Sequence, residues 1–466
     1  MMNRQGNKQS CFQLVNIEDL VEPNHFLRKL DKAINFNFVY EMVEPLYSNK
    51  SRPSVDPIVL IKMLLLGYLY GIDSERKLEE NVKYNIAYRW YLGLNIDEPV
   101  PDHSTFSQNR RRRFKGQEVF RKIFEQIVWK CYEAGLVKGE SVVMDSTHIK
   151  ANADNHNNVS VEVIRTPKAY WDDLKQAELK PETIVKSKNP DDSDASYMNR
   201  PNKPKGFHYL AHQCSNADTS IILNVNITSG DVQDCECCVN EYKYLKETMK
   251  LPIKTAGLDS GYDTIAIHYG LTRLGIKAFI RPCERGIRRN TNMFSIKDFI
   301  WNKEQNCYIC PNNCKLTFRG IWKWQGIPMQ NYISNPKECD KCKYRQICFT
   351  KNLRKRKIKR RPWQKFQENG RRCVGSTKYE DMMVRRQIVC EGNFALQKRC
   401  HNLRFTRFRG IENVLAQCLL SASTLNLKRL VKYGNIPEIP DIRKAKAALI
   451  SGIKIYIVYL CANIKY

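Results

Sequence analysis

This 466-residue sequence has no apolar run long enough to span a bilayer. Its best candidates, Ile58 to Tyr70 and Ile453 to Ile464, are short, and each contains a lysine. The opening stretch, Met1 to Asn16, is polar and lacks the apolar segment of a signal peptide. A cytoplasmic protein without a membrane partner is therefore expected. Acidic residues are scarce relative to basic ones: 48 Asp and Glu stand against 77 Lys and Arg, a formal net charge of +29. That imbalance argues for a polyanionic partner, because neutralised phosphates release counterions, with a membrane surface as the alternative. No internal repeat or long low-complexity tract occurs, which argues against a solenoid. The length suggests two or three domains.

Cysteine is abundant, with 18 residues. With no export signal, metal ligands and buried thiols are expected in place of disulfides. Cys131, Cys214, Cys418 and Cys461 sit among apolar residues and read as core. Cys307, Cys310, Cys314, Cys339, Cys342 and Cys348 form a separate cluster. Two Cys-x-x-Cys pairs, Cys307/Cys310 and Cys339/Cys342, have the spacing of structural Zn²⁺ ligands. Four thiolates suffice and six are offered, so spacing alone accepts either Cys307 or Cys348 as the fourth.

Residues 17 to 138 have helical periodicity. Pro57 suits a first turn, and Leu60, Ile61, Leu64, Leu65, Tyr68 and Leu69 recur at helical spacing until Gly71. Asp73 or Ser74 caps a following helix that carries Leu78, Val82, Ile86 and Trp90 and closes at Gly93. Ser104 is the expected cap of the helix bearing Arg110, Arg111, Arg112 and Arg113, and Val119 to Ala134 is a further helix ended by Gly135. The pattern then changes. Ser141 to Ile149 reads as a strand, and 151 to 205 as a polar loop or insertion. Phe207 to Gln213 and Ile221 to Ile227 read as strands joined by a turn at Asn216-Ala217-Asp218. A helix over Cys235 to Met249, a strand over Ile253 to Leu258, a helix over Ile265 to Leu274 and a strand over Ala278 to Ile280 complete a mixed α/β sheet. Beyond a cysteine-rich stretch, Tyr379 to Cys400 and Ile411 to Val431 read as helices.

Two of these strands lead into an aspartate followed by serine: Asp145 and Asp259. Glu391 lies downstream in an amphipathic, arginine-rich stretch. Carboxylates gathered on buried elements repel one another and are costly to desolvate, and a divalent cation relieves both. Hard oxygen ligands suit Mg²⁺ or Mn²⁺, and two such ions about 3.5–4 Å apart suit phosphoryl transfer. Asp145 is the candidate bridging ligand, with Asp259 and Glu391 each completing one metal site. The plainer reading is that each acid caps a helix or ends a strand. Arg385, Arg386 and Lys398 surround Glu391 in sequence and suit a phosphate contact, or else a solvated helix face. A basic run follows the cysteines: Arg354, Lys355, Arg356, Lys357, Lys359, Arg360 and Arg361, with Trp363 and Phe366 nearby. Charge interleaved with rings suits nucleic acid, the alternative being a solvated loop. Arg110 to Arg113 admits the same two readings, while His103 and His148 read as structural.

The chain resembles the DDE transposases of bacterial insertion sequences with a ribonuclease-H-like core. The similar stretches are Ser51-Arg52-Pro53, Tyr70 to Arg76, Tyr88-Arg89-Trp90, Pro101 to Phe106, Arg110 to Phe114, Met144-Asp145-Ser146-Thr147, Lys150 to Ala153, Leu258 to Asp263, Glu391 with Lys398, Arg407 to Gly410, and Asn426 to Leu430. They run in one order along most of the chain. The resemblance implies Asp145, Asp259 and Glu391 as the metal-binding triad, and Cys310, Cys339, Cys342 and Cys348 as the zinc ligands. A related branch places Tyr, Arg, Glu and Lys at the spacing of positions 384, 387, 391 and 398; here the first two are Val384 and Gln387, and Arg386 stands one residue early.

The expected fold is α/β: a ribonuclease-H-like mixed sheet flanked by helices, with an all-helical N-terminal domain and a zinc-type insertion. The expected divisions are 1–138 for a helical DNA-binding domain, 139–282 for the first part of the catalytic core, 283–375 for the cysteine-rich basic insertion, 376–435 for the helical end of the core, and 436–466 for a tail. The expected activity is Mg²⁺-dependent cleavage and strand transfer at the ends of a mobile element, by a homodimer on double-stranded DNA. The rival expectations are a metal-dependent nuclease without strand transfer and a catalytically inactive zinc-containing DNA-binding regulator.

Overall fold

The computed structural model describes residues 15–47, 54–114, 118–138, 140–165, 182–199, 205–283, 293–324, 327–349, 353–361 and 363–434. The stretch Ser51-Arg52-Pro53, Cys461, the run from Ile453 to Ile464 and the tail 436–466 lie outside the described residues. The chain divides into two compact units. The first holds the described parts of 15–137, 396–403 and 416–434, and the second 138–395 and 404–415. Among the described residues, no helix is long and apolar enough to cross a membrane.

The first unit is helical. It comprises α1 (Ile17–Leu20), α2 (Phe26–Ala33), α3 (Phe38–Val43), α4 (Pro57–Leu69), α5 (Glu75–Tyr84), α6 (Ile86–Leu92), α7 (His103–Arg112) and α8 (Val119–Glu133). The Asp56 side chain caps α4 by accepting from Ile58 N, and Pro57 takes the first turn, where its missing N–H costs nothing. Nine of the 13 residues of α4 are buried, so it forms the middle of this unit. Gly71, at φ +68°, ends it in a conformation that side chains disfavour. Two expectations need correction. The helix expected from Ser74 to Gly93 breaks at Asn85, whose extended backbone ends α5 while its side chain caps α6. The cap of α7 is Asp102, which accepts from Ser104 N, and not Ser104 itself.

The second unit is built on a six-stranded mixed sheet. Its strands are β1 (Ser141–Lys150), β4 (Ser196–Met198), β5 (Gly206–Asn216), β6 (Ile222–Ser229), β7 (Thr255–Leu258) and β8 (Lys277–Ile280). β5 lies antiparallel to β1, and its other edge is shared by β4 and β6. β7 and β8 extend the sheet in parallel with β1. All 11 residues of β5 are buried, which marks it as a central strand covered on both faces. Asn216 forms the β5–β6 turn by accepting from Asp218 N, Thr219 N and Thr219 Oγ1. The stretch expected to be loop between 151 and 205 carries structure of its own. β2 (Val159–Arg165) pairs with β3 (Glu182–Lys188), and β4 joins the main sheet. Helices α9 (Cys238–Lys243) and α10 (Ile265–Arg273) connect the later strands.

The cysteine-rich stretch is a small five-stranded antiparallel sheet in the order β13-β12-β11-β10-β9. Its strands are β9 (Ile300–Asn302), β10 (Cys307–Ile309), β11 (Lys315–Trp324), β12 (Ile327–Ser334) and β13 (Lys357–Arg360). Two short helices, α11 (Pro336–Asp340) and α12 (Arg345–Cys348), precede β13, and α13 (Gln364–Arg371) follows it. The core is aromatic: Phe299, Tyr308, Leu316, Tyr332 and Ile358. Two long helices close the described chain, α14 (Thr377–Cys400) and α15 (Ile411–Tyr433).

Candidate active site

Pairing of β1 with β7 runs Val142 to Ala256 and Val143 to Gly257. Asp145 and Asp259 each stand two residues beyond the last paired residues, Val143 and Gly257, and the charge of Asp259 acts on Asp145. Asp145 does not end its strand, as the apolar run before it suggested. β1 continues to Lys150 against β5, with Asp145 opposite Gln213, while its pairing to β7 stops at Val143. With a side-chain period of two, Val143, Asp145, Gly257 and Asp259 share a face of the sheet.

That face is covered by α14. Tyr379, Met382, Val389 and Cys390 of the helix pack with Val143, Ala217 and Phe279. A Cβ at Gly257 would stand 2.8 Å from Met382 Cγ and 3.0 Å from Val143 Cγ1, so glycine is what lets the helix close on the strand. Arg386 falls within the same helical stripe. Its guanidinium Nη1 donates to Asp145 Oδ2 at 2.9 Å, and its side chain is 12% exposed. Burial pushes the Asp145 carboxyl up; Arg386 opposes this, and the charge of Asp259 adds to it. Burial disfavours the Arg386 charge, but Asp145 and Asp259 more than restore it.

Glu391 is exposed on α14, five residues past Arg386 and so about 140° round the helix. The Cys390 thiol beside it is pushed far up by burial and by Asp145, Glu391 and Asp259, with Arg386 opposing. The three carboxylates do not close into a compact cage. Among the described residues, the set of metal-ligating atoms lying within 4.8 Å of one another is Glu79, Asp102 and His103 in the first unit. There His103 Nδ1 and N both meet Glu79 Oε2, at 2.9 and 3.0 Å. Arg385 is tied to Asp218 and Asp381. Lys398 follows Glu391 by seven residues on α14 and belongs to the first compact unit.

Three cysteines of the insertion act on the thiol of a fourth, but their sulfurs do not all lie within 4.8 Å of one another. Cys348, at the end of α12, has its thiol pushed up to about 11, by burial first, with Cys339, Cys310 and Cys342 adding and Arg356 opposing. Cys339 and Cys342 bracket a turn in which Cys342 N donates to Cys339 O at 3.2 Å. Cys310 Sγ accepts from Cys314 N at 3.3 Å. Cys307, by contrast, is buried within β10, its Sγ 3.9 Å from Gln305 Oε1.

The basic residues separate into two groups. Arg110 pairs with Glu75, and Arg113 donates to Asn109 Oδ1 at 2.9 Å while lying over the Tyr47 ring. Arg111 and Arg112 are exposed. In β13 the side chains alternate, with Lys357 and Lys359 outward and Ile358 and Arg360 buried. Arg360 donates to Glu368 at 2.6 and 2.7 Å and to the Tyr308 hydroxyl at 3.0 Å. Arg356 donates to Cys348 O and Phe294 O at 2.7 and 2.9 Å. The expectation that the whole run meets DNA therefore gives way at Arg356 and Arg360, whose guanidiniums are spent on internal acceptors. Arg354, paired with Asp340, remains 75% exposed, and Lys355, Lys357 and Arg361 are also exposed. Sequence reasoning missed Asp263, His268, Gln367 and Arg371, which form a buried polar cluster directly after Asp259. The only signal was the acid at the end of the Leu258–Asp263 stretch.

Residues 15–112 match the family described as a transposase domain (DUF772), and residues 309–431 match the transposase DDE domain. Solved structures similar to the chain include a piggyBac transposase synaptic complex with hairpin DNA, at 11% identity over 89% of this chain and 77% of that chain, with a TM-score of 0.36. Another is the Mos1 mariner paired-end complex with Mn, at 12% identity over 51% of this chain and 62% of that chain, with a TM-score of 0.17.

Proposed function

We propose, from the premise that the chain belongs to the DDE transposases and acts in DNA transposition, that Asp145, Asp259 and Glu391 are its metal-binding carboxylates. The observation that carries this is the parallel β1–β7 pairing, from which the chain leads on to Asp145 in one strand and Asp259 after the other, with α14, the helix of Glu391, packed on Val143. The strand order, three antiparallel strands followed by two parallel ones, supports a ribonuclease-H-like core. The donor set fits Mg²⁺ or Mn²⁺: carboxylate oxygens with one cationic neighbour and an excess of negative charge. When bound, two such ions supply a nucleophilic water or 3′-OH and stabilise the leaving oxygen. Arg386 opposes the protonation that burial favours, and so keeps Asp145 available as an anionic ligand.

We read Cys310, Cys339, Cys342 and Cys348 as structural Zn²⁺ ligands on the chemistry of four thiolates; their sulfurs do not all lie within 4.8 Å of one another, and a bound Zn²⁺ would draw them together and hold the short helices to the small sheet. Arg111 and Arg112 at the end of α7, with Arg354, Lys355, Lys357 and Arg361, supply exposed positive charge for phosphate contacts. The chain would cut at the ends of its mobile element and join the freed 3′-OH ends to target DNA, as a dimer that handles two ends together.

The test uses Asp145→Asn, Asp259→Asn and Glu391→Gln with labelled element-end DNA and pre-cut ends. Each variant should lose cleavage and joining by roughly 10³-fold while still binding DNA. Parent-level cleavage by Asp259→Asn would sink the assignment. Nicking by the parent without joining of pre-cut ends would make the protein a nuclease.

A further inference from the structure

Four residues beyond Asp259 stands a second aspartate that the chemistry above does not use. The Asp263 side chain has 0% exposure. Its Oδ1 meets His268 Nε2 at 3.0 Å and accepts from Gln367 Nε2 at 3.1 Å. Its Oδ2 accepts from Cys283 N at 2.7 Å, from Arg371 Nε at 3.1 Å and from Arg371 Nη2. Even its carbonyl accepts from Gln367 Nε2, at 3.0 Å. Burial pushes the carboxyl up, but His268, Arg371 and the Cys283 N–H outweigh it and hold the group well below the usual carboxylate range.

The donors come from separate parts of the unit. His268 is on α10, Cys283 follows β8, and Gln367 and Arg371 are on α13, the last helix of the insertion. α13 lies close against α10. A Cβ at Gly370 would meet His268 Nδ1 at 2.2 Å, and the Tyr269 ring packs on Phe366 and Trp363 at 5.1 and 5.7 Å. On the same helix, Glu368 holds Arg360 of the small sheet. Asp263 and Asp259 are joined by a single 3₁₀ turn, Ser260–Tyr262, in which Tyr262 N donates to Asp259 O at 3.0 Å and Asp263 N to Ser260 O at 3.2 Å. Tyr262 is itself 1% exposed. So short a turn, hydrogen-bonded at both ends and anchored by buried Tyr262, has little freedom to absorb a shift at one end without passing it to the other.

We propose that Asp263, clamped by Arg371 and Gln367, is a positioning residue that sets the orientation of Asp259 and thereby couples the insertion to metal binding at the catalytic carboxylates. The proposal rests on reading Asp259 as a metal ligand. Partners that orient a ligand are typically worth ten- to a hundredfold in metal affinity. A clamp that merely fastened α13 would change stability and leave metal affinity alone.

The test measures Mn²⁺ binding to the full-length chain, with Zn²⁺ saturating, from the paramagnetic resonance signal of free Mn²⁺. Thermal unfolding and end-DNA binding are followed in parallel. Arg371→Ala and Gln367→Ala should each weaken Mn²⁺ binding, Arg371→Ala by roughly 10–100-fold, with DNA binding unchanged. Arg371→Lys keeps the charge but loses the two-pronged bond, and should fall between parent and alanine; it also serves if the alanine variant unfolds. Parent-like Mn²⁺ affinity in all three variants, whatever their melting temperatures, would overturn the proposal. Asp259→Asn separates the two readings. If it binds Mn²⁺ as the parent does, the ligand assignment itself has failed. If it loses Mn²⁺ while the Arg371 variants do not, only the positioning role has.

Discussion

The two larger sheets of the second unit are held by different means. In the six-stranded sheet, β5 is buried along its whole length, and Val142, Val143, Ala256 and Leu258 line the neighbouring strands. Its stability is apolar burial, worth about 25 cal/mol per Å² removed from water. The small sheet has three strands of three or four residues, and five residues make its buried core. Around that core lie a buried thiol, Cys307, and buried Arg360, paired with the partly exposed Glu368. A core this small seldom suffices without a staple. The comparison teaches that the sheet carrying the candidate carboxylates rests on a long, fully buried strand, whereas the small sheet rests on a five-residue core and the polar contacts around it.

Metal removal should separate the two sheets most sharply. Zinc binding in small structural sites is worth about 10–16 kcal/mol of apparent free energy, which is folding free energy for the segment it closes. Chelation, or Cys342→Ser, should therefore remove hydrogen-exchange protection across β10 to β13 while leaving β1 and β5 protected. Full protection of the small sheet after chelation would mean that its aromatic core holds it unaided. The opposite perturbation is Gly257→Val. The added side chain meets Met382 and Val143 and forces α14 off the sheet. Overpacking of this kind costs about 1–3 kcal/mol. It should lower the melting temperature of the large sheet and abolish cleavage, with the small sheet's exchange pattern intact.

The same contrast explains what could be read in the sequence. The strands of the large sheet were legible because apolar runs end in turn residues, as at Val142 to Met144 and Asn216 to Asp218. The small sheet was not, because its short strands mix charge and aromatics, and Lys357 to Arg360 alternates with arginine on the buried side. β2, rich in Val, was hidden in a polar stretch whose composition argued for loop. The break at Asn85 had no local signal, since the apolar spacing runs through it. Asp145, Asp259 and Glu391 were visible as acids in unusual settings. Their partners were not: Arg386 reaches Asp145 across 241 residues and Arg371 reaches Asp263 across 108, and only the fold sets such pairs.

The smallest expected effect tests whether the ion pair in the small sheet is a true support or an ornament of a metal-held module. Glu368→Gln keeps the side chain's shape, removes its charge and leaves one oxygen to accept from Arg360. Breaking a buried pair costs most when it strands a charge away from water. Here Arg360 is 8% exposed but Glu368 is 39% exposed, so solvent screens much of the loss. The Tyr308 hydroxyl also remains as an acceptor for Arg360. A destabilisation of about 1 kcal/mol follows, read as a modest rise in exchange within β13 and none in β5. Because Glu368 lies on α13 between Gln367 and Arg371, a larger change that reached Mn²⁺ affinity would mean that the small sheet steers the catalytic turn through this helix. A change confined to β13 would mean that Asp263 fixes α13 firmly enough to isolate the two sheets.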